Sequence, residues 1–118
     1  MQSFKAFLLE GRSTDFKVSK KQTLKDHPHL SSVTNISDAI KKHTKYYIHR
    51  GRVKNAKGIN CGACERFANE ITPVIKGAKV ISGRDHAWIY HNGKHYDSES
   101  PNGVKDYNQL NHFKRESK

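Results

Sequence analysis

Between Asn35 and Gly51 the inward positions return every three or four residues: Ile36, Ala39, Ile40, His43 and Tyr47 form one stripe, with Lys41, Lys42 and Lys45 opposite. This predicts an amphipathic helix from Asn35 or Ser37, with Asp38 in its first turn and Gly51 at its end. Cys64, Phe67, Ala68 and Ile71 stand at i, i+3, i+4 and i+7, so a second helix is expected from near Cys61 to Ala63 until Pro73 ends or kinks it. Phe4, Phe7 and Leu8 suit a short N-terminal helix, followed by a linker at Gly11–Asp15. Residues 16–35 show little period and read as mostly irregular, with His27 and His29 as exposed loop histidines beside Pro28. Tyr46 and Tyr47 sit at helical spacing as core or boundary residues, although tyrosines beside lysines also suit stacking on bases.

After Pro73 the period changes to two. Ala78–Ile81 and Asp85–Tyr90 read as strands with a turn at Ser82-Gly83; Asn92-Gly93 signals a hairpin, and Lys94–Ser98 forms the third strand. A two-residue turn at Asn92-Gly93 sets Trp88 opposite Asp97 and His86 opposite Glu99, and places His86, Trp88, His95, Asp97 and Glu99 on one face. His86 and Asp97 are then diagonal neighbours. Pro101-Asn102-Gly103 reads as a turn, Tyr107, Leu110 and Phe113 pack back on the sheet, and Lys114–Lys118 frays.

Composition bounds this picture. With 118 residues, 34% of them hydrophobic, the chain has room for one modest core. The net charge is +11, and it is lopsided: residues 1–60 carry thirteen Lys/Arg against four Asp/Glu, residues 61–118 nine against seven. Such a surplus favours polyanions, so non-specific DNA contact through the basic N-terminal half is expected, unless the lysines are only a solvated face. Two cysteines three residues apart make no secreted disulfide framework, and no signal-peptide core or long apolar run is present. A monomer in a reducing, cytoplasmic setting without membrane contact or cofactor is expected.

The chemistry concentrates in three short stretches. Cys64 lies in the first turn of a predicted helix, His86 on a strand and Asp97 on the next strand, which supplies nucleophile, base and orienting group. Direct register makes Glu99 a competing third member. Asn60 is a candidate oxyanion donor beside the Cys64 N–H. Two other chemistries use the same residues. Cys61 and Cys64 have the spacing of a redox pair, without the preceding strand-helix pattern; Cys61, Cys64 and two of His86, His91 and His95 are zinc-ligand types, with a spacing that matches no finger.

Cys61-Gly62-Ala63-Cys64, continued by Phe67 and Ala68, resembles the nucleophile motif of papain-type cysteine peptidases, in which the second cysteine attacks. Glu65 stands where that family has an aromatic residue, and Gly58 where it has the oxyanion glutamine. His86-Ala87-Trp88 followed by Asp97 is similar to transglutaminase-like and NlpC-type members of the same superfamily. The resemblance covers roughly residues 58–101. It implies a small papain-like, NlpC-like α+β fold, N-terminal helices on a short antiparallel sheet, with Cys64, His86 and Asp97 as the triad, a protein or peptide substrate and no metal.

The opening MQSFKAFLLEG resembles the capsid-targeting peptides of internal head proteins of T-even-type bacteriophages, which are cut after Leu/Ile-x-Glu. That likeness implies cleavage between Glu10 and Gly11, packaging in the capsid interior and delivery to the host cytoplasm. The expected organisation is therefore a removable peptide at 1–10, a basic segment at 11–34 and the α+β domain at 35–118. The expected function is thiol-dependent acyl transfer; the alternative is a non-catalytic basic phage protein that binds a host or nucleic-acid target.

Overall fold

The computed structural model describes residues 19–83 and 85–116. The proposed targeting peptide, the Glu10-Gly11 cleavage site and the helix expected near Phe4 lie outside them. Among the described residues four α-helices come first: α1 (Lys20–Asp26), α2 (Ile36–His49), α3 (Ala56–Asn60) and α4 (Cys64–Ile71). A four-stranded antiparallel meander follows: β1 (Lys79–Gly83), β2 (His86–His91), β3 (Lys94–Asp97) and β4 (Ser100–Val104), in sheet order β1-β2-β3-β4. Helix α5 (Asn111–Glu116) ends the described chain. The architecture is α+β, helices before sheet, and no helix among the described residues is long and apolar enough to cross a membrane.

The segment expected to be irregular is instead helical. Ser19 caps α1 by accepting from the Gln22 N–H at 3.1 Å, and a 3₁₀ turn over Pro28–Ser32 follows. Its inward positions are Thr23, His27 and Leu30, two of them polar by type, so the hydrophobic pattern conceals a buried stripe. His27 is nearly buried and His29 half-buried, where exposed loop residues were expected.

Helix α2 buries the five predicted positions, from Ile36 to Tyr47. Its cap is Asn35, whose side chain accepts from the Asp38 N–H at 2.8 Å. Leu30, Ile40, Tyr47, Ile59, Phe67 and Ile71 from the helices and connecting turns meet Val80, Ala87, Ile89 and Tyr96 from one face of the sheet. The other face is covered too. Ile81 and Trp88 pack there against Leu110 and Phe113, so the C-terminal segment forms a layer of its own, with Arg115 still anchored where fraying was expected.

The β2–β3 register is the one predicted: Ile89 pairs with Tyr96, Tyr90 with His95 and His91 with Lys94. Asn92 and Gly93 both have positive φ, 48° and 81°, as a type I′ turn requires. Strand β1 runs through the expected turn as far as Gly83, which pairs with His86, and Asp85 has a positive φ of 62°.

The expected turn at Pro101–Gly103 is edge strand β4, a place that tolerates proline because an edge residue need not donate to the ladder. Gly103 has φ 82°, and a Cβ there would lie 2.7 Å from Cε2 of Tyr96. Gly103→Ala should therefore cost about 1–3 kcal/mol, through a strained backbone and a displaced ring. Urea unfolding measures it; an unchanged midpoint would show that β4 yields freely.

Candidate active site

Helix α4 begins at Cys64, and its N-cap Ala63 makes no side-chain cap hydrogen bond, so the first backbone N–H groups have neither a capping nor an intrahelical partner. Phe67, Ala68 and Ile71 anchor its inner face, so Cys64 is fixed half-buried at the start while Cys61 is exposed; both are free thiols. Strand β2 brings His86 to its first position, fully enclosed. Asp97, also buried, ends β3.

His86 Nε2 and Asp97 Oδ2 are 3.0 Å apart. The other oxygen, Oδ1, accepts from the backbone N–H groups of Glu99 and Ser100, each at 3.0 Å, so the carboxylate cannot swing away. His86 Nδ1 is buried and accepts or donates no hydrogen bond, so it is the ring nitrogen left open toward the Cys64 thiol, whose interaction with His86 helps to raise the imidazole.

Burial disfavours the charged imidazole, but Asp97 and then Cys64 outweigh it and raise His86 to about 9. Burial likewise pushes the Cys64 thiol up; the His86 side chain, the backbone of Ala87 and Glu65, and the imidazolium charge bring it below its ordinary value. The two shifts run in the directions that favour a thiolate–imidazolium pair.

Glu99 is not the partner of His86. The chain turns at Ser98–Glu99, the ladder register ends, and Glu99 instead takes a bidentate grip from Arg115 at 2.8 and 3.0 Å. Asn60 donates from Nδ2 to Glu99 Oε1 at 2.8 Å, so one amide hydrogen is committed away from the oxyanion role expected for it. The Ser98 hydroxyl donates to the Ala56 carbonyl at 2.7 Å and ties this turn to α3.

Nor do the other histidines join the cysteines. His91 Nε2 lies 3.0 Å from the Lys76 carbonyl, and His95 Nδ1 accepts from the Trp88 indole at 2.9 Å. The only three-residue group of metal-ligand type among the described residues lies elsewhere, at His27, His43 and Glu70.

Two contacts were missed in the sequence. The His112 ring stacks on His86, with centroids 4.3 Å apart and planes 13° from parallel, and Phe113 meets its edge at 5.6 Å. Glu70, on α4, gathers His43 Nε2 at 2.9 Å, the Tyr47 hydroxyl at 2.7 Å and Arg66 Nε at 3.2 Å. Burial alone would raise Glu70, yet the hydrogen bonds from His43 and then Tyr47 outweigh it and hold Glu70 at about 2; His43 itself is lowered, mainly by burial. The clue was a titratable residue on each of two facing stripes, Glu70 in line with Phe67 and Ile71, and His43 between Ile40 and Tyr47.

The basic loop after α2 is exposed at Arg50, Arg52, Lys54 and Lys57. Arg52 lies over the Tyr47 ring at 5.1 Å and Arg50 over Tyr46 at 5.6 Å, while Tyr46 stacks inward on His29. Both tyrosines are therefore occupied within the fold. No family model, curated protein or solved structure matches this chain.

Proposed function

We propose that this protein is a thiol-dependent acyl-transfer enzyme on a small papain-like, NlpC-like scaffold. Cys64 is the nucleophile, His86 the general acid and base, and Asp97 the residue that holds the imidazole. One observation carries the proposal: a single buried imidazole is shared between a fixed carboxylate, 3.0 Å from Nε2, and a thiol held below its ordinary pKa.

The thiolate attacks an amide or ester carbonyl, forming a C–S bond as the π pair moves to oxygen. Backbone N–H groups at the uncapped start of α4 are the natural donors to that oxyanion. As the tetrahedral intermediate collapses, the scissile bond breaks and the His86 proton passes to the leaving amine or alcohol. Neutral His86 then takes a proton from water or an acceptor amine as it attacks the thioester. Product leaves, and the ion pair is restored.

Iodoacetamide labelling tests this. Cys64 should be modified ahead of the more exposed Cys61 at neutral pH. The rate should fall about tenfold in a folded His86→Ala variant, since an ordinary cysteine is only a few per cent thiolate there. Equal, slow labelling of both cysteines would defeat the proposal.

The competing reading is a non-catalytic basic phage protein packaged with DNA. What favours it is the run of exposed cations at Lys41, Lys45, Arg50, Arg52, Lys54 and Lys57, along α2 and its following loop. Cys64→Ala separates the two: a binder keeps its biological effect and a strongly salt-dependent DNA affinity, whereas an enzyme loses its activity.

A further inference from the structure

We propose that His27, His43 and Glu70 form a binding site for a divalent transition cation of the zinc class, seated where the end of α1, the middle of α2 and the last turn of α4 converge. One ligand atom from each residue lies within 4.8 Å of the others. His43 Nε2 is 2.9 Å from Glu70 Oε1, and His27 Nε2 is 3.5 Å from Oε2. Ligands about 2.0–2.1 Å from a tetrahedral zinc stand about 3.3 Å apart, so small side-chain rotations close the site. Two imidazoles and one carboxylate select zinc-class ions over magnesium or calcium, which prefer oxygen alone.

For His43 the surroundings supply what a ligating histidine needs. An imidazole bound through one nitrogen is oriented by a partner on the other. His43 Nδ1 lies 2.8 Å from His29 Nε2, and His29 itself stacks on Tyr46 with ring centroids 4.4 Å apart. His27 Nδ1 is buried with no hydrogen-bond partner, so the protein alone leaves one nitrogen of this cluster unused.

A cavity of about 350 Å³ opens beside the cluster, lined by Thr23, Asp26, His27, Arg66 and Glu70 among others; it admits water as the fourth ligand. Two groups already hold Glu70. The Tyr47 hydroxyl keeps Oε1 oriented, while Arg66 on Oε2 has a side chain 65% exposed and is free to swing out as the cation enters. The cation would pin the α1 segment to the helix that begins at Cys64. The site uses no residue of the acyl-transfer proposal and stands or falls separately from it.

The test uses the untagged full chain, stripped with chelator, in a Cys61→Ser/Cys64→Ser background so that thiolates cannot bind metal. Calorimetric titration with Zn²⁺ alone should show one equivalent bound and thermal unfolding should shift upward with Zn²⁺ but not Mg²⁺. Co²⁺ should give the absorption of a tetrahedral nitrogen and oxygen site. His27→Ala, at the end of a short helix, should abolish binding while leaving circular dichroism unchanged, and His29→Ala should weaken it by about 10–100-fold. Absence of binding in the cysteine-free protein, or unchanged affinity in folded His27→Ala, would overturn the proposal.

Discussion

Replacing Asp97 with alanine is expected to cost about 3–5 kcal/mol, because it leaves a buried imidazolium without its counter-charge. The same change strips the Glu99 and Ser100 N–H groups of their acceptor, so the turn that carries Glu99 should loosen with it. The pH dependence has a definite sign. His86 is raised from 6.5 to about 9 in the folded protein, so its contribution is complete below about 6.5 and disappears as pH climbs through about 9. Urea unfolding of parent and variant should therefore diverge most at about pH 6.5 and just below, less as pH rises, and draw together above about 9. Asp97→Asn keeps the turn acceptor while removing the charge. It should retain more stability than Asp97→Ala yet show the same upward shift in the pH at which Cys64 alkylates. Equal stabilities of parent and Asp97→Ala at neutral pH would contradict the buried pair.

Trp88→Ala should be comparably severe, about 3–5 kcal/mol, since large-to-small changes in a closed core lose both transfer free energy and packing. Trp88 is completely buried on the outer face of the sheet, stacked on Tyr107 at 5.7 Å and edge-on to Phe113 at 5.3 Å. Its loss removes the wall against which the C-terminal layer is built, and the donor to His95. For a domain whose whole stability is of order 5–15 kcal/mol, this should release α5 before the rest. Hydrogen exchange on the variant should show α5 amides losing protection first; uniform loss across the chain would mean that the two faces of the sheet unfold as one.

The sequence made much of this legible where a single period governed the chain. The stripe from Ile36 to Tyr47, the stripe from Cys64 to Ile71 and the Asn92-Gly93 turn each impose geometry locally. From the turn alone followed the register that sets His86 beside Asp97. Three features escaped for different physical reasons. Helix α1 buries Thr23 and is followed at once by buried His27, both polar by type, so no hydrophobic period announces it. Strand β4 carries proline, asparagine and glycine in series, a composition that reads as a turn until an edge position and the Tyr96 ring give each residue a reason. The contacts of Glu70 with His43, Glu99 with Arg115 and His86 with His112 join residues 16–27 positions apart; polar pairing at that range leaves no periodic trace. Glu99 shows the limit of register arithmetic, which holds only while the ladder continues.

Strand β4 has a consequence for how copies of this protein treat one another. An outer strand is an invitation to strand addition and hence to aggregation, which natural sheets refuse with proline, with charge or with brevity. Pro101 has no N–H to offer an incoming chain. At the opposite margin of the meander, β1 is only five residues long and opens on exposed Lys79. Both borders of the sheet are thus poor templates, and the strongly cationic surface adds mutual repulsion. Concentrated solutions should resist fibril growth as long as the fold holds.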